Sequence, residues 1–190
     1  MSATTSGDYV IRAIRADEWE AVKRLRLAAL RDPLADIAFL ETYDEALGRP
    51  DSFYQDRAAG SAAEPSGARQ FIAEAADGEW AGTVTVLIEE AGTTDWAGFP
   101  VERRQGHLVG VFVRPEHRGS GLVKALFDAG VEWARQRGAE RVRLLVHADN
   151  PRAQGAYRKA GFVPSGVLVP FFKDEAETEV EFVLEWPERP

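Results

Sequence analysis

The sequence contains no cysteine. This absence excludes disulfide bonds, thiolate metal sites and any mechanism that passes through a cysteine nucleophile. The three histidines, His107, His117 and His147, show neither helical nor hairpin spacing, so the sequence predicts no metal site. Long apolar runs are also missing, and the longest falls far short of the about 20 residues that a membrane span needs.

Positive charge is scarce as well, with 23 Lys and Arg against 31 Asp and Glu and a net charge of −8. Such a chain, without a basic stripe, is not typical of nucleic-acid-binding proteins. Residues 1–8 are polar and lack the apolar core of a signal peptide, so we expect a flexible tail on a cytoplasmic protein. The 190 residues, 45% of them hydrophobic, suit one domain over residues 1–190.

The pattern of apolar residues predicts strands mixed with helices, which indicates an α/β sheet that is part antiparallel and part parallel. The predicted strands cover residues 9–15, 70–76, 80–90, 109–113, 141–147, 162–169 and 178–186. Helices are predicted after Asp17, over residues 35–47, from residue 122 to Gly138, and from Asn150 onward. The stretch 49–69 indicates no more than one short helix near Phe53.

The stretch 109–123, VGVFVRPEHRGSGLV, joins a buried strand to a helix through a turn that contains Gly119 and Gly121. The free N–H groups of a helix's first turn point outward, and the helix dipole favours negative charge there. Glycine lets the backbone approach a phosphate group without a side chain in between. The stretch therefore predicts an anion site, although the two glycines could instead only shape the turn.

A second block, residues 150–162, reads NPRAQGAYRKAGF. Together the patterns V-x-P-x-x-R-G-x-G and N-P-x-A-x-x-x-Y-x-K-x-G-F resemble the GNAT superfamily of acetyl-coenzyme-A-dependent N-acetyltransferases. Arg118 and Gly121 match the family's turn pattern Q/R-x-x-G-x-G/A, and Val123 stands where Gly or Ala is usual. The resemblance implies a mixed, mostly antiparallel sheet of about seven strands with a splayed central parallel pair, flanked by about four helices. It also implies acetyl-coenzyme A as donor co-substrate.

The resemblance further implies which residues hold the donor. Backbone N–H groups from the turn and the start of the helix would bind the pyrophosphate: Arg118, Gly119, Ser120, Gly121, Leu122 and Val123. Val111, Phe112 and Val113 would offer backbone groups to pantetheine, between the splayed strands. Gly110, inside that strand, favours either a bulge with close backbone approach or packing beneath a large neighbour. Asn150 would contact coenzyme A, cap the following helix, or do both.

Two residues are candidates for proton transfer. By resemblance, Tyr157 stands beside the thioester sulfur, where its phenol, with a pKa of about 10, could protonate the departing thiolate. The alternative role for Tyr157 is core packing. In one branch of the family a carboxylate base occupies a strand position that matches His107, so we expect His107 to deprotonate the amine. The alternatives are a strand-end histidine in solvent at position 107, with His147 as base, or a chain of waters.

These residues favour an N-acetyltransferase that moves acetyl from acetyl-coenzyme A to a primary amine by direct attack. Phe39, Glu41 and Tyr43 either help to build the acceptor pocket or pack in the core. The acceptor would be a small-molecule or protein amine, and the family makes a homodimer one state to test. The alternative is a GNAT-like module that binds acyl-coenzyme A without turnover, as a sensor or regulator, which the departure at Val123 motivates.

Overall fold

A computed structural model describes residues 4–64, 66–95 and 98–186. It contains eight strands: β1 Thr4–Ser6, β2 Tyr9–Ala13, β3 Ala68–Ala75, β4 Trp80–Glu89, β5 Gln105–Val113, β6 Arg141–His147, β7 Val163–Phe171 and β8 Asp174–Glu185. They form one sheet in the order β1-β2-β3-β4-β5-β6-β8-β7. Only β5 and β6 pair in parallel, and the other described neighbours are antiparallel. The predicted mixed, mostly antiparallel sheet with a central parallel pair is confirmed.

Six α-helices accompany the sheet in the described part of the chain. They are α1 Trp19–Ala29, α2 Ala35–Ala38, α3 Tyr43–Gly48, α4 Asp51–Ala62, α5 Leu122–Gln136 and α6 Pro151–Lys159. Short 3-10 turns precede α1 and α5, at Ala16–Glu18 and Pro115–His117. Over the described ranges, none of these helices has the length and apolar character to cross a membrane.

The N-terminal segment differs from the expectation of a flexible tail over residues 1–8. Thr4–Ser6 form β1, an edge strand that pairs with β2, and Gly7 turns the chain with a φ of +59°. This strand is the eighth member of a sheet for which about seven strands were expected. Residues 1–3 lie outside the described ranges.

The stretch 49–69 holds the 12-residue helix α4, where the sequence indicated only a short one. The buried residues of α4 are Tyr54, Ala58 and Ser61, which recur at helical spacing. Because two of the three are small and one is polar, they leave little hydrophobic periodicity in the sequence. Packing against α1 and β3 stabilises the helix instead.

The helix predicted over residues 35–47 is two short helices, α2 and α3. Phe39 ends α2 in an extended conformation, with φ −139° and ψ 144°. Thr42 then caps α3, because its hydroxyl accepts a hydrogen bond from the N–H of Glu45 while the Glu45 carboxylate accepts from the N–H of Thr42. This capping box starts a new helix and so breaks the predicted one.

Two hydrophobic cores hold the helices against the sheet. The first contains the buried α5 residues Leu126, Phe127 and Trp133. The second contains Leu25 of α1 and Tyr54 of α4. β4 and β5 contribute buried residues to both cores, Val86 and Leu108 to the first and Trp80 and Phe112 to the second.

Glu89, at the end of β4, lies in a buried ionic network. Its carboxylate lies 2.8 Å from Nδ1 of His107 and accepts two hydrogen bonds of 3.0 Å from the guanidinium of Arg143. Gln105 donates a further hydrogen bond of 2.7 Å. Burial by itself would raise the pKa of Glu89, but the hydrogen bonds from His107 and Arg143 outweigh it and lower the pKa to about 2.

Glu89→Gln should therefore destabilise the protein by roughly 3 kcal/mol at pH 7. Because the pKa of Glu89 is lowered from its ordinary 4.5, its stabilisation is complete above about pH 4.5 and lost as the pH falls toward about 2. Urea unfolding should thus show a smaller difference between variant and wild type at pH 3 than at pH 7. Glu90→Gln is the matched control, since Glu90 is exposed and pairs with Arg104 at the surface. Equal losses at both pH values for Glu89→Gln would contradict this account.

Candidate active site

The parallel strands β5 and β6 pair over only three positions and then separate. Gln105, Gly106 and His107 lie opposite residues 141–143, and no further pairs join the two strands within the described residues. A cavity of about 510 Å³ opens where they diverge. Its wall consists of residues 108–113, 117–119, 121–124, 145–147, 150, 152–153, 155–157, 159 and 179, with Asp32 and residues 37–39 at one side.

Gly110 forms a bulge in β5 at this cavity. Val109 pairs with Thr85 and Phe112 with Thr83, so Gly110 and Val111 together lie opposite one residue of β4. Gly110 has a φ of +62°, and a Cβ placed there would meet no atom within 4 Å. Packing therefore does not require glycine at this position, whereas the backbone conformation does. The predicted bulge is confirmed, and its two residues line the cavity.

The start of α5 forms one end of the cavity. Gly121 occupies the N-cap with a φ of +81° and has no side chain that could cap the helix. The first-turn N–H groups of Leu122, Val123 and Lys124 therefore have no partner within the helix. All three residues line the cavity, and the first turn carries no acidic side chain. This arrangement is a suitable binding site for a phosphate group.

The side chains of Arg118 and Ser120 both form contacts with other residues of the protein. The guanidinium of Arg118 donates to the carbonyl of Val113 at 3.0 Å and forms an ion pair with Asp32. Asp32 also pairs with Arg152 on α6, at 3.2 Å. Arg118 is thus no free surface charge, since it ties the turn to β5 and to the α1–α2 connection. The hydroxyl of Ser120 donates to a carbonyl within the turn, and Ser120 is absent from the cavity wall.

Asn150 caps α6, because its side-chain oxygen accepts a hydrogen bond of 3.1 Å from the N–H of Ala153. The capping role is confirmed. Asn150 is also buried. It lines the cavity, and Val111, Phe112 and Val113 line it too. The contact of these four residues with coenzyme A stays a prediction.

Tyr157 lies on α6 with its ring in the first core and at the cavity wall. Its ring centroid is 5.4 Å from that of Phe127 and 6.1 Å from that of Phe182. Among the described residues the hydroxyl has no hydrogen-bond partner. Burial raises the pKa of Tyr157, and the charge of Glu179 raises it further, so the phenol stays protonated at neutral pH. Core packing and proton donation are compatible roles for this residue.

His107, the predicted base, lies outside the cavity wall. It belongs to the paired part of β5, is 2% exposed, and is held against Glu89 in the buried ionic network. The structure does not bring His107 together with Tyr157, and this placement argues against the base role. The physical reason is that β5 and β6 are still paired at His107 and separate only after it, so the cavity begins beyond this residue along β5.

His147, the second candidate, does line the cavity, but both ring nitrogens have partners. Nδ1 accepts a hydrogen bond of 3.1 Å from the N–H of Asp149. Nδ1 is therefore unprotonated, and Nε2 carries the proton that it donates to Glu177 at 3.0 Å. These contacts fix the tautomer and orient the ring, which leaves no nitrogen available to accept a proton.

Glu179 was missed by the sequence analysis. It lies on β8 directly opposite His147, lines the cavity and is 8% exposed. Its Oε2 atom is buried without a hydrogen-bond partner in the described structure. Burial raises the pKa of Glu179, while the nearby His147 acts in the opposite direction. The sequence offered no signal for this residue, because alternating glutamates in a strand indicate a solvent-facing surface.

Two further findings concern the candidate acceptor residues and possible metal ligands. Of the three candidate acceptor residues, Phe39 lines the cavity, whereas Glu41 is held in ion pairs with Arg26 and Arg49. Tyr43 accepts a hydrogen bond from Arg31. No three His, Asp or Glu side chains cluster as metal ligands within residues 4–64, 66–95 and 98–186.

Comparison with known proteins shows that this chain is similar to several acetyltransferases. Streptothricin acetyltransferase of Streptomyces lavendulae is 27% identical over 183 residues, which cover 88% of each chain. Mycothiol acetyltransferase of Saccharomonospora viridis is 41% identical over 92 residues, or 48% of this chain, and the match spans only 29% of that relative's length. A GNAT-family acetyltransferase from Streptococcus pneumoniae superposes with a TM-score of 0.70 at 17% identity, covering 94% of this chain and 99% of the other.

The family model described as "Acetyltransferase (GNAT) family" matches residues 20–162. The match begins in α1 and ends just after α6, so it contains the strand, the turn and the helix that build the cavity. The separating parallel strands, the bulge at Gly110 and the open start of α5 lie inside this stretch. The resemblance seen in the two sequence blocks is confirmed, and the chain belongs to the acetyltransferase (GNAT) family.

Proposed function

We propose that this chain is an N-acetyltransferase that moves acetyl from acetyl-coenzyme A to a primary amine by direct attack. One observation carries the proposal: a single cavity joins an anion site at the start of α5 to the buried phenol of Tyr157. The first suits the charged end of a long donor, and the second suits the place where its thioester is cleaved.

The donor fits this cavity in chemical terms. Its pyrophosphate would bind the backbone N–H groups of residues 118–123, with the side chain of Arg118 holding the turn in place through Asp32. Pantetheine would lie between β5 and β6, along residues 111–113 and near Asn150. Because β5 has lost its parallel partner beyond His107, its edge can offer an N–H group to the thioester carbonyl.

The next question is which group would serve each step of the reaction. Tyr157 holds its proton at neutral pH and can donate it to the sulfur as the carbon–sulfur bond breaks. The sequence has no cysteine that could carry the acetyl group, so the amine attacks the thioester itself. Residues 1–190 would act as one domain, and the reaction would take place in the cytoplasm. The acceptor is a small-molecule or protein amine, in keeping with relatives named for mycothiol and streptothricin.

Coenzyme A should raise the melting temperature of the purified protein, since a ligand that binds only the native state stabilises it. At 100 times the dissociation constant the gain is about 2.7 kcal/mol, which corresponds to a shift of roughly 5–10 °C for a chain of this size. Pantetheine, which lacks the pyrophosphate, is the matched control ligand and should shift the temperature far less.

A thiol-release assay with acetyl-coenzyme A and a panel of amines then tests turnover. Amine-dependent release of thiol is the expected result. A melting shift without release for any amine would favour the binding module over the enzyme. Absence of a shift at millimolar coenzyme A would contradict both.

A further inference from the structure

The cavity wall includes a buried carboxyl group with one oxygen that has no hydrogen-bond partner in the described part of the chain. Glu179 is more than nine-tenths buried, and its Oε2 atom has no hydrogen-bond partner among the described residues. Leaving a buried carboxylate unpaired costs free energy. The other buried carboxylates near the parallel strands, Glu89 and Glu181, bind Arg143 or Arg141. Among these three carboxylates of the described structure, Glu179 is the one without an arginine partner, and it lines the cavity.

Two of the three histidines cannot replace it, and the third lies at the turn before α5. His107 lies outside the cavity wall, and His147 uses Nδ1 and Nε2 in contacts with Asp149 and Glu177. His117 lines the cavity beside the turn, where its Nδ1 lies 2.9 Å from the hydroxyl of Tyr9. Glu179, in contrast, lines the same cavity as Tyr157 and is close enough to interact electrostatically with it.

We propose that Glu179 binds the ammonium group of the acceptor and takes its proton, as the general base of the transfer. This inference rests on the proposed function and deepens it, because it names the form in which the acceptor arrives. The acceptor is an aliphatic primary amine that is charged at neutral pH. Phe39, Ala38 and Leu145, also at the cavity wall, would contact the apolar stem next to that amine.

The proton balance of the step is complete with the groups present. The ammonium gives one proton to the carboxylate of Glu179, and the freed lone pair forms the carbon–nitrogen bond. The carbon–sulfur bond then breaks, and the thiolate takes the proton of Tyr157. The second proton on nitrogen restores the phenol, and Glu179 releases its proton to water after the product leaves. An ammonium and an acetyl thioester thus yield an amide, a free thiol and one proton.

Several groups face or flank Glu179. His147 faces it from β6, and α6 brings Tyr157 and Arg152 to the same cavity. Val169 lies opposite Glu179 on β7, and two further glutamates, at positions 177 and 181, flank it along β8. Burial is the largest influence and raises the pKa of the carboxyl, which makes the Glu179 carboxylate a stronger base than an exposed one.

Glu179→Gln tests the proposal, because it keeps the shape of the side chain and removes the carboxylate. The probes are two nucleophiles with saturating acetyl-coenzyme A: the fastest of n-butylamine, spermidine and lysine, which are charged at pH 7, and hydroxylamine, which is largely neutral there. For the charged amine, kcat/KM should fall by roughly 10²–10⁴-fold at pH 7, and the loss should shrink at alkaline pH, where the amine is already free. For hydroxylamine the rate should stay within about threefold of wild type.

The control variant is Glu175→Gln, which makes the same change at an exposed position on the same strand and should leave both rates unchanged. The melting shift with coenzyme A should survive in Glu179→Gln, which shows that the donor site is intact. If that variant does not fold, Glu179→Asp replaces it. The shorter carboxylate should then reduce the rate with the charged amine and spare the rate with hydroxylamine.

Two outcomes would overturn the proposal while the proposed function stands. Equal losses with both nucleophiles would make Glu179 a structural residue, and an unchanged rate with the charged amine would place the base elsewhere. If wild type releases thiol with neither nucleophile, the proposed function fails, and the role of Glu179 fails with it.

Discussion

Tyr157→Phe should slow the chemical step by about 10²-fold and leave coenzyme A binding almost unchanged. The substitution keeps the ring and its contacts with Phe127 and Phe182, and it removes only a hydroxyl that has no partner in the described structure. Two facts place the loss at the low end of the usual range for a general acid. A thiol has a pKa of about 8.5, so thiolate leaves fairly well without a proton. Burial also raises the pKa of Tyr157, which makes it a weaker acid.

Single-turnover kinetics at saturating acetyl-coenzyme A isolate this step from binding and product release. Tyr54→Phe is the control, because the buried hydroxyl of Tyr54 donates to the carbonyl of Ala46 in the second core. Tyr54→Phe should lower the stability of the protein and leave the rate of the chemical step unchanged. Tyr157→Phe should lower that rate and leave the stability nearly unchanged. A Tyr157→Phe rate within about twofold of wild type would show that the acid is water or another group. A joint loss of binding and rate would make Tyr157 a packing residue for the donor.

Gly121→Glu should abolish the melting shift that coenzyme A produces. Its carboxylate would stand beside the free N–H groups of the first turn of α5, where we place the pyrophosphate. A Cβ at Gly121 meets no atom within 4 Å, so the side chain has room. However, the φ of +81° strains any L-residue by about 1–2 kcal/mol. We therefore expect a folded variant that melts several degrees lower than wild type.

Gly121→Gln separates the two effects, because it has the same backbone strain and nearly the same size without the charge. Calorimetric titration of coenzyme A into both variants measures the difference directly. The glutamine variant should keep a weakened affinity, and the glutamate variant should lose detectable binding. Equal affinities in the two would mean that strain, not charge, governs the effect. Wild-type affinity in Gly121→Glu would move the phosphate site away from α5.

The sequence by itself determined those features that depend only on residues close together along the chain. The strand, turn and helix at 109–123 were predictable because buried strands, positive-φ glycines and helix starts have local signatures. Asn150 before a proline predicted an N-cap for the same reason, and the hydrogen bond to Ala153 confirms it. Local signals failed where the periodicity was weak, as in α4, or where a cap interrupts it, as Thr42 does between α2 and α3.

Only the tertiary structure decided which polar residues reach the cavity. Alternation along a strand shows which side chains share a face, yet it cannot show where two parallel strands separate or what covers that face. His107 lies just before the separation of β5 and β6 and is enclosed with Glu89 and Arg143. Glu179 comes to the cavity because β8 pairs with β6 across more than thirty residues of sequence. That pairing is non-local, so a candidate base that appeared to be a surface glutamate became visible only in the folded sheet.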